Sequence, residues 1–491
     1  MISRTEPPAT ISNTTDLAYL GATEALGLFR SRDLSPVELL EAVLQRIDAV
    51  NPRVNALTEQ LTDEARIAAR DAERQYHSNG EYRFGGQPGP LLGLPVAAKE
   101  KHSLAGHVLS NGLVGQRDVV ASSDHPVISR IRSAGGIVHA RTTTPEFCCA
   151  TVTHSPLWGV TRNPFNLALS PGGSSGGSGA ALAAGFAPLA TGSDIAGSTR
   201  LPAAFTGTVG FKAPYGRIPG VAPLAADYYR GDSPMARTVA DAALLANVMA
   251  GRHPGDHASL AATRPLPGSW ASVEGLRIAL CIQLGDYLVD PDVEANTRAV
   301  TAALQGAGAI VEEVELPWTS AEIHRVSFTH FGNILGPAME DETRGTESEL
   351  AAYTVQFMAD ARAAAAGTRF LDGLSAETRI QGELAAVMTG FDALICPTSA
   401  VAALTAAEHY LDGITAGGQH LEHYWQAHMT VPFNIANRCP VLAVPSGLAD
   451  CGIPTGVQIV GHPFDDDTVF RVGAAVETVR PWAYRYTLIG G

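Results

Sequence analysis

Positive charge is scarce in this chain: 34 Lys and Arg face 49 Asp and Glu, a formal net charge of −15, which argues against the basic face that nucleic acid or an anionic membrane requires. Charged residues of either sign make up only 17% of the 491 residues, below the ~25% typical of globular chains, which points to a large buried interior. No uninterrupted apolar run reaches the ~18 residues of a membrane span, and the opening MISRTEPPATISNTTD has no apolar core of signal-peptide length. The cytoplasm is the expected compartment. None of the six cysteines forms a C-x-x-C pair, and the neighbours Cys148 and Cys149 are poorly placed for a mutual disulfide, so all six read as reduced, mostly buried thiols. No repeat of solenoid length is visible. Small molecules are the expected partners, with no nucleic acid and no membrane, for a monomer or homodimer.

What is present alternates between helical and strand patterns. Apolar residues recur at three and four from Asp16 to Gln75, with a helix start at Ser35, Pro36 and Glu38 and a stop expected at Asn51-Pro52. Strands are expected at Leu91–Ala98, closing on Lys99, and in Ile137–Thr144, Ala203–Phe211, Gly275–Ile282, Ile310–Val314, Phe391–Pro397, Val441–Pro445 and Thr455–Val460. Helices are expected in Arg237–Ala250, Pro291–Gly308, most of Thr319–Gly390 and Asp466–Val479, while residues 1–16 and 77–91 read as irregular. This is an α/β chain with helices on both faces of a sheet. A single domain over 1–491 is expected, with an N-terminal helical segment (1–80), a core (91–318), a variable helical and loop region (319–431) and a C-terminal return to the core (432–491).

One stretch dominates, Ser170 to Pro202, in which glycine and serine clusters at 172–179 and 192–198 bracket an alanine-rich run that predicts a tightly packed helix. A phosphate loop is excluded because no Gly-Lys-Ser/Thr follows the glycines, and G-x-G-x-x-G spacing is absent. Gly172-Gly173-Ser174-Ser175-Gly176 does satisfy G-x-S-x-G, the nucleophile elbow, which leaves open an ester hydrolase with Ser174 as nucleophile and a later histidine as base. Asn163, Pro164, Asn166 and Pro171 argue against the strand that an elbow needs. The second cluster suggests a different chemistry, because small residues at Ala196 and Gly197 would let the N–H groups of Ile195 to Ser198 converge on an oxyanion beside Ser198. A lysine closing an apolar strand, as Lys99 does, is most often a snorkelling surface residue.

Lys99 at the end of its strand, the G-G-S-S-G-G loop at 172–177 and the turn Ala196-Gly197-Ser198-Thr199-Arg200 together resemble the amidase signature family, with its Ser-cisSer-Lys triad. Lys99 precedes Ser174 by 75 residues and Ser174 precedes Ser198 by 24, as in the family, and family-like stretches recur over most of the chain, including 39–55, 93–106, 145–164, 171–212, 234–251, 391–398 and 440–464. The resemblance implies a central twisted mixed sheet covered by helices on both faces, N-terminal helices wrapped around it, and no cofactor or metal. It implies catalytic Lys99, Ser174 and Ser198, an oxyanion hole from the amides of Ile195, Ala196, Gly197 and Ser198, and supporting roles for Gly173, whose bond to Ser174 would be cis, and for Ser175, Asp194 and Arg200. Cys148 and Cys149 fall where the family lines the pocket beside the nucleophile. Two departures stand out: Ala196 replaces a glycine, and Lys99-Glu100-Lys101-His102 is more charged than the family's Lys-Asp-Asn, with Lys101 expected to share the face of Lys99 and depress its pKa.

The implied activity is hydrolysis of an amide C–N bond through a seryl acyl-enzyme. Phe328, Phe331, Tyr353, Tyr424 and Trp425 are candidate pocket residues, and an aromatic pocket suggests aryl or hydrophobic amides, anilides or carbamates. The glutaminase component of a tRNA amidotransferase and a non-catalytic binding protein of the same fold are the remaining alternatives.

Overall fold

The structure, a computed structural model, describes residues 17–78, 87–261 and 264–482. The expectation for residues 1–16 lies outside these, as do residues 79–86 of the loop expected at 77–91. Eleven strands among the described residues form one mixed sheet. In chain order they are β1 (Leu57–Gln60), β2 (Pro95–Lys99), β3 (Ile137–Thr142), β4 (Leu189–Asp194), β5 (Val209–Lys212), β6 (Gly231–Ala236), β7 (Arg277–Leu280), β8 (Ile310–Glu313), β9 (Ala393–Pro397), β10 (Val441–Leu448) and β11 (Pro454–Gly461). Their order across the sheet is β1-β3-β2-β4-β6-β5-β10-β11-β9-β7-β8. The β3-β2-β4 and β9-β7-β8 groups are parallel, and the pairs between them run antiparallel.

Strands β2 and β4 position the site. They pair in parallel through Val96 with Leu189 and Ala97 with Ala190, so Lys99 and the residues after Ser193 emerge together at the carboxyl ends, where open α/β sheets gather their ligands. Every residue of both strands is buried, which explains their unbroken apolar or small-residue character. The helix Gly176–Ala183 lies beside them, buried along its whole length. It has no polar face because no part of it meets water, and its glycines permit close approach: a Cβ on Gly177 would sit 2.4 Å from Thr143 Oγ1 and 2.5 Å from the Thr143 nitrogen.

Helices cover both faces. Helices 126–133, 239–249, 291–306 and 466–479 pack on one side and helices 176–183 and 200–206 on the other, where a second apolar core joins helix 200–206 to the layer 320–333, 352–365 and 370–387. The N-terminal helices close over the first core. Helix Pro36–Val54 starts with the expected capping box, Ser35 Oγ accepting from Val37 and Glu38 while Glu38 Oε2 accepts from the Ser35 nitrogen. Helix Ala22–Ser31 has no side-chain cap of its own, and Asp241 supplies one from a distance, accepting from the nitrogens of Ala22 at 2.9 Å and Thr23 at 2.8 Å.

Four expectations are corrected. The helix continues through Pro52 to Val54 and ends on left-handed Asn55, because the proline falls in the last turn. Strand β1 interrupts the helical run of residues 16–75, its pattern too short to stand out from its flanks. Strand β2 begins only at Pro95. Ala203–Thr206 belongs to helix Arg200–Thr206, and the expected strand is extended only from Val209 onward, in β5. No helix among the described residues is long and apolar enough to cross a membrane.

Candidate active site

Lys99 is fully buried, and its ammonium nitrogen meets three hydroxyls: Ser174 Oγ at 2.7 Å, Ser175 Oγ at 2.9 Å and Ser193 Oγ at 3.0 Å. Burial is the largest influence on it and lowers its pKa to about 8, with the charge of Lys101 acting in the same direction against Cys148 and Asp232. A neutral amine has two N–H donors and one lone pair, so with three hydroxyl partners one hydroxyl must donate to the nitrogen. Ser174 makes the shortest contact. The Gly173–Ser174 peptide is cis. Ser175 is tied to the second cluster, its nitrogen donating to the Ser198 carbonyl at 3.0 Å and its Oγ accepting from the Ser193 nitrogen at 3.2 Å.

The turn after β4 hangs on a buried ion pair. Arg200 donates from Nε to Asp194 Oδ2 at 3.0 Å and from Nη2 to Asp194 Oδ1 at 2.9 Å, and it also reaches the carbonyl of Thr430, Gln458 Oε1 and Asn434 Oδ1. Burial alone would push the Asp194 carboxyl up, but the Arg200 charge and the hydrogen bonds from Arg200 and Asn434 outweigh it and hold the group well below the usual carboxylate range. Asp194 Oδ1 also accepts from the Gly197 nitrogen at 2.8 Å. The expected four-amide oxyanion set is corrected on this point, since the Gly197 N–H is already engaged; those of Ile195, Ala196 and Ser198 have no acceptor among the described residues. Ala196 does not need left-handed backbone, because the positive φ of the turn, 114°, falls on Gly197. Thr430 Oγ1 clamps the turn by donating to the Ala196 carbonyl at 2.6 Å.

Behind Lys99 lies a polar cluster that sequence reasoning missed apart from Lys101. Strand β2 ends at Lys99, so Lys101 occupies a turn rather than the strand face expected for it, and its ammonium binds Asp232 Oδ1 at 2.6 Å. His102, His125 and Asp232 bring possible metal-ligand atoms within 4.8 Å of one another. Hydrogen bonding closes this group. Thr191 Oγ1 accepts from the Lys99 nitrogen at 2.9 Å, so its own proton goes to His102 Nδ1 at 2.8 Å, and His102 Nε2–H donates to Asp232 Oδ1 at 2.9 Å. His125 Nδ1 accepts from the Val127 nitrogen at 3.2 Å, which leaves its Nε2–H for Asp232 Oδ2 at 3.3 Å. Burial is the largest influence on both rings and lowers their pKa values, that of His125 to about 3, which favours their neutral forms. With each ring nitrogen engaged and an ammonium already on the carboxylate, the cluster has the chemistry of a brace for Lys99 rather than of a cation site. No single-residue signal marks Asp232 in the sequence; it is joined to Lys99 only by the sheet.

The expected pocket residues divide. Cys148 borders a cavity of about 240 Å³ that opens beside Lys101 and Asp232, and its thiol binds Thr144 Oγ1 at 3.1 Å with Lys99 and Ser174 as its other polar neighbours. Phe147 and Cys148 hold φ values of 52° and 57°, a left-handed pair that turns both side chains to this cavity. Cys149 faces the other way, buried against Thr354. Phe328, Phe331, Tyr353, Tyr424 and Trp425 are not among the cavity's walls; Phe328, Phe331 and Trp425 pack on one another at ring centroid separations of 5.2 to 5.7 Å. Tyr353 instead supports the turn before Cys148, donating to the His154 carbonyl at 2.7 Å and accepting from the Glu146 nitrogen at 3.0 Å, and Tyr424 accepts from the Thr151 nitrogen at 3.4 Å. The elbow alternative meets a structural obstacle too, as no strand of the sheet leads into Ser174 and the hydroxyl's partner is a lysine.

This arrangement has relatives among known proteins. The amidase family profile matches residues 38–470. The chain is 34% identical to an acylamidase of Rhodococcus erythropolis, with 95% of this chain and 97% of that protein aligned. It is 32% identical to a glutamyl-tRNA(Gln) amidotransferase component of Chloroflexus aurantiacus, over 95% of this chain and 98% of that protein. Among solved structures, a bacterial aryl acylamidase of the amidase signature enzymes superposes with a TM-score of 0.85 at 26% identity, covering 94% of this chain and 97% of the other.

Proposed function

Because this chain belongs to the amidase family and is an amide-bond hydrolase, we propose that it cleaves small aryl or hydrophobic amides, anilides or carbamates through an acyl-enzyme on Ser198. The observation that carries this reading is the buried 2.7 Å contact between Lys99 Nζ and Ser174 Oγ. Neutral Lys99 takes the Ser174 proton while Ser174 takes that of Ser198, whose Oγ forms the new C–O bond at the substrate carbonyl. Negative charge builds on the carbonyl oxygen and is met by the N–H groups of Ile195, Ala196 and Ser198, each such donor being worth about 3 to 4 kcal/mol. The C–N bond then breaks as Ser174 returns a proton to the departing nitrogen, and Lys99 returns one to Ser174. Water, deprotonated through the same pair of groups, releases the acid and restores Ser198. Asp194 and Arg200 keep the amides aimed, and the residues required complete the cycle without a cofactor. A carbamate differs only in its acyl part and enters the same sequence.

Likeness to a glutamyl-tRNA(Gln) amidotransferase component favours a second reading, glutamine hydrolysis within a larger assembly. Amine or ammonia release from a nitroanilide, an aryl carbamate, a primary aryl amide and glutamine, run beside Ser198→Ala and Lys99→Ala, separates the two. Turnover of an aryl substrate lost by roughly a thousandfold or more in both variants supports the proposal. Full activity in Ser198→Ala overturns it, and exclusive turnover of glutamine favours the second reading.

A further inference from the structure

Residues 227–232 serve both halves of the site. Strand β6 pairs with the end of β4, Gly231 opposite Asp194 and Asp232 opposite Ser193, whose hydroxyl meets Lys99 Nζ at 3.0 Å. Asp232 binds Lys101 and His102 just past Lys99. The Tyr229 carbonyl accepts from Asn434 Nδ2 at 3.1 Å, and the same nitrogen donates to Asp194 Oδ1 at 2.9 Å while Asn434 Oδ1 accepts from Arg200 Nη2 at 2.7 Å. Asn434 therefore ties the Asp194–Arg200 pair, which anchors the turn of Ser198, to one carbonyl of the irregular segment that precedes β6.

A buried ion cluster shared with two helices fixes that segment. His330, from helix 320–333, lies flat on the Tyr229 ring, 3.7 Å between centroids and 6° between planes. Its Nε2 is 2.8 Å from Asp227 Oδ1 and its Nδ1 3.3 Å from Glu377 Oε1 of helix 370–387. Asp227 also accepts from the Tyr229 nitrogen at 3.0 Å and Arg230 Nε at 3.3 Å, and Glu377 accepts from the hydroxyls of Tyr229 at 3.0 Å and Tyr228 at 2.5 Å. The titratable and charged groups facing His330 are thus Asp227, Tyr228, Tyr229 and, through Asp227, Arg230 from the segment, and Glu377 from helix 370–387. Asp227, Tyr229, His330 and Glu377 are all buried. A neutral imidazole has one N–H and serves one carboxylate, whereas an imidazolium serves both. Arg230 offsets Asp227, but among the described residues Glu377 has no cation other than His330. Burial disfavours the His330 charge, yet the two carboxylates prevail and raise its pKa.

We infer that His330, as an imidazolium, is a positioning residue for the hydrolysis: by holding Asp227 and Glu377 together it sets the Tyr229 carbonyl, and through Asn434 the Asp194–Arg200 pair that aims the turn of Ser198. The assignment rests on the role of Ser198 given above. It makes the helical layer 320–387 a support of the reacting groups, joined to them by charge and hydrogen bonds.

The test is a cycle of variants compared in kcat and KM at about pH 6, below the ordinary histidine value of about 6.5, with whichever substrate of the panel above the wild type turns over fastest. His330→Gln keeps a hydrogen-bonding side chain and removes the charge. It is expected to lower kcat about tenfold with KM moved less than about threefold, and adding Glu377→Gln, which removes the unmatched carboxylate, is expected to restore kcat to within about threefold of wild type. In an Asn434→Ala background, itself impaired, His330→Gln is expected to cost less than about twofold more, because the route through which it acts is already cut. A kcat within about twofold of wild type in His330→Gln, beside a lowered urea midpoint, marks a purely structural role and overturns the proposal. Full additive loss in the Asn434→Ala background, or no recovery on adding Glu377→Gln, overturns it as well. If His330→Gln does not fold, Tyr229→Phe takes its place by removing one hydroxyl from Glu377: a loss of about threefold that disappears in the Asn434→Ala background upholds the proposal, and an unchanged kcat overturns it. Failure of the role assigned to Ser198 shows separately, as activity surviving Ser198→Ala.

Discussion

Arg200 holds Asp194 with two parallel hydrogen bonds of 2.9 and 3.0 Å while both side chains are wholly out of water. The pair anchors the turn on which Ser198 sits, so removing one member leaves a buried charge unmatched. Asp194→Asn is expected to lower unfolding free energy by about 3 to 5 kcal/mol, measured as a fall in the urea midpoint at unchanged m-value. The sign with pH follows from the depressed Asp194 pKa: its contribution is full above the ordinary carboxylate range and declines as pH falls below it, and the Asn variant lacks that decline.

Gly197 cannot carry a side chain. Its φ is 114° and a Cβ would come within 2.0 Å of Thr430 Oγ1, the hydroxyl that clamps the turn. Gly197→Ala is expected to cost kcat roughly a hundredfold by displacing the neighbouring amides. The adjacent Ala196→Gly, at a position with no left-handed requirement, is expected to keep kcat within about twofold and to lower stability by about 1 kcal/mol or less. Equal losses in the two variants would contradict this geometry.

Lys99 has a pKa lowered to about 8, and in the proposed relay it takes a proton only when neutral, so kcat/KM is expected to rise about tenfold per unit below pH 8 and to level above it. Lys101 contributes to the lowering, and Lys101→Met is expected to move the midpoint of the rise to higher pH. A pH-rate profile of both proteins checks the direction, and a midpoint that moves to lower pH would reverse the assigned role.

His330 sits between two carboxylates, with Nε2 at 2.8 Å from Asp227 Oδ1 and Nδ1 at 3.3 Å from Glu377 Oε1. Burial disfavours its charge, yet the hydrogen bonds and charges of Asp227 and Glu377 prevail and raise its pKa. A raised folded pKa stabilises fully below the unfolded value of about 6.5 and ceases to do so as pH rises through the folded one. Denaturation midpoints are expected to fall as pH rises above about 6.5, and His330→Gln is expected to flatten that slope.

Much of the architecture is readable because local patterns and tertiary packing agree. The capping box at Ser35, helix Asp466–Val479 and the paired strands β10 and β11 each bury the face that their apolar residues define. Disagreement arises where short elements lie inside stronger patterns, as with β1, or where one apolar run serves two elements, as at 203–212. The aromatics singled out in the sequence do not line the 240 Å³ cavity for a related reason. Phe328, Phe331 and Trp425 have the size that marks a pocket, but they satisfy one another across helices and a short turn, and the walls come instead from a glycine, proline and alanine-rich segment around 216–225 that carries no aromatic signal.

The sequence by itself determined the family, the mixed α/β architecture and the identity of the lysine, serines and turn that meet at one end of the sheet, because those features are written in small residues at fixed spacing where no larger side chain fits. Only the tertiary structure decided which groups surround them. Thr191 and Asp232 come to the end of β2 at Lys99 and His102, and Thr430 and Asn434 to the turn, across separations that no periodicity records. A hydrogen bond requires only that two polar atoms meet in space, and the pairing of strands far apart in the chain arranges that meeting.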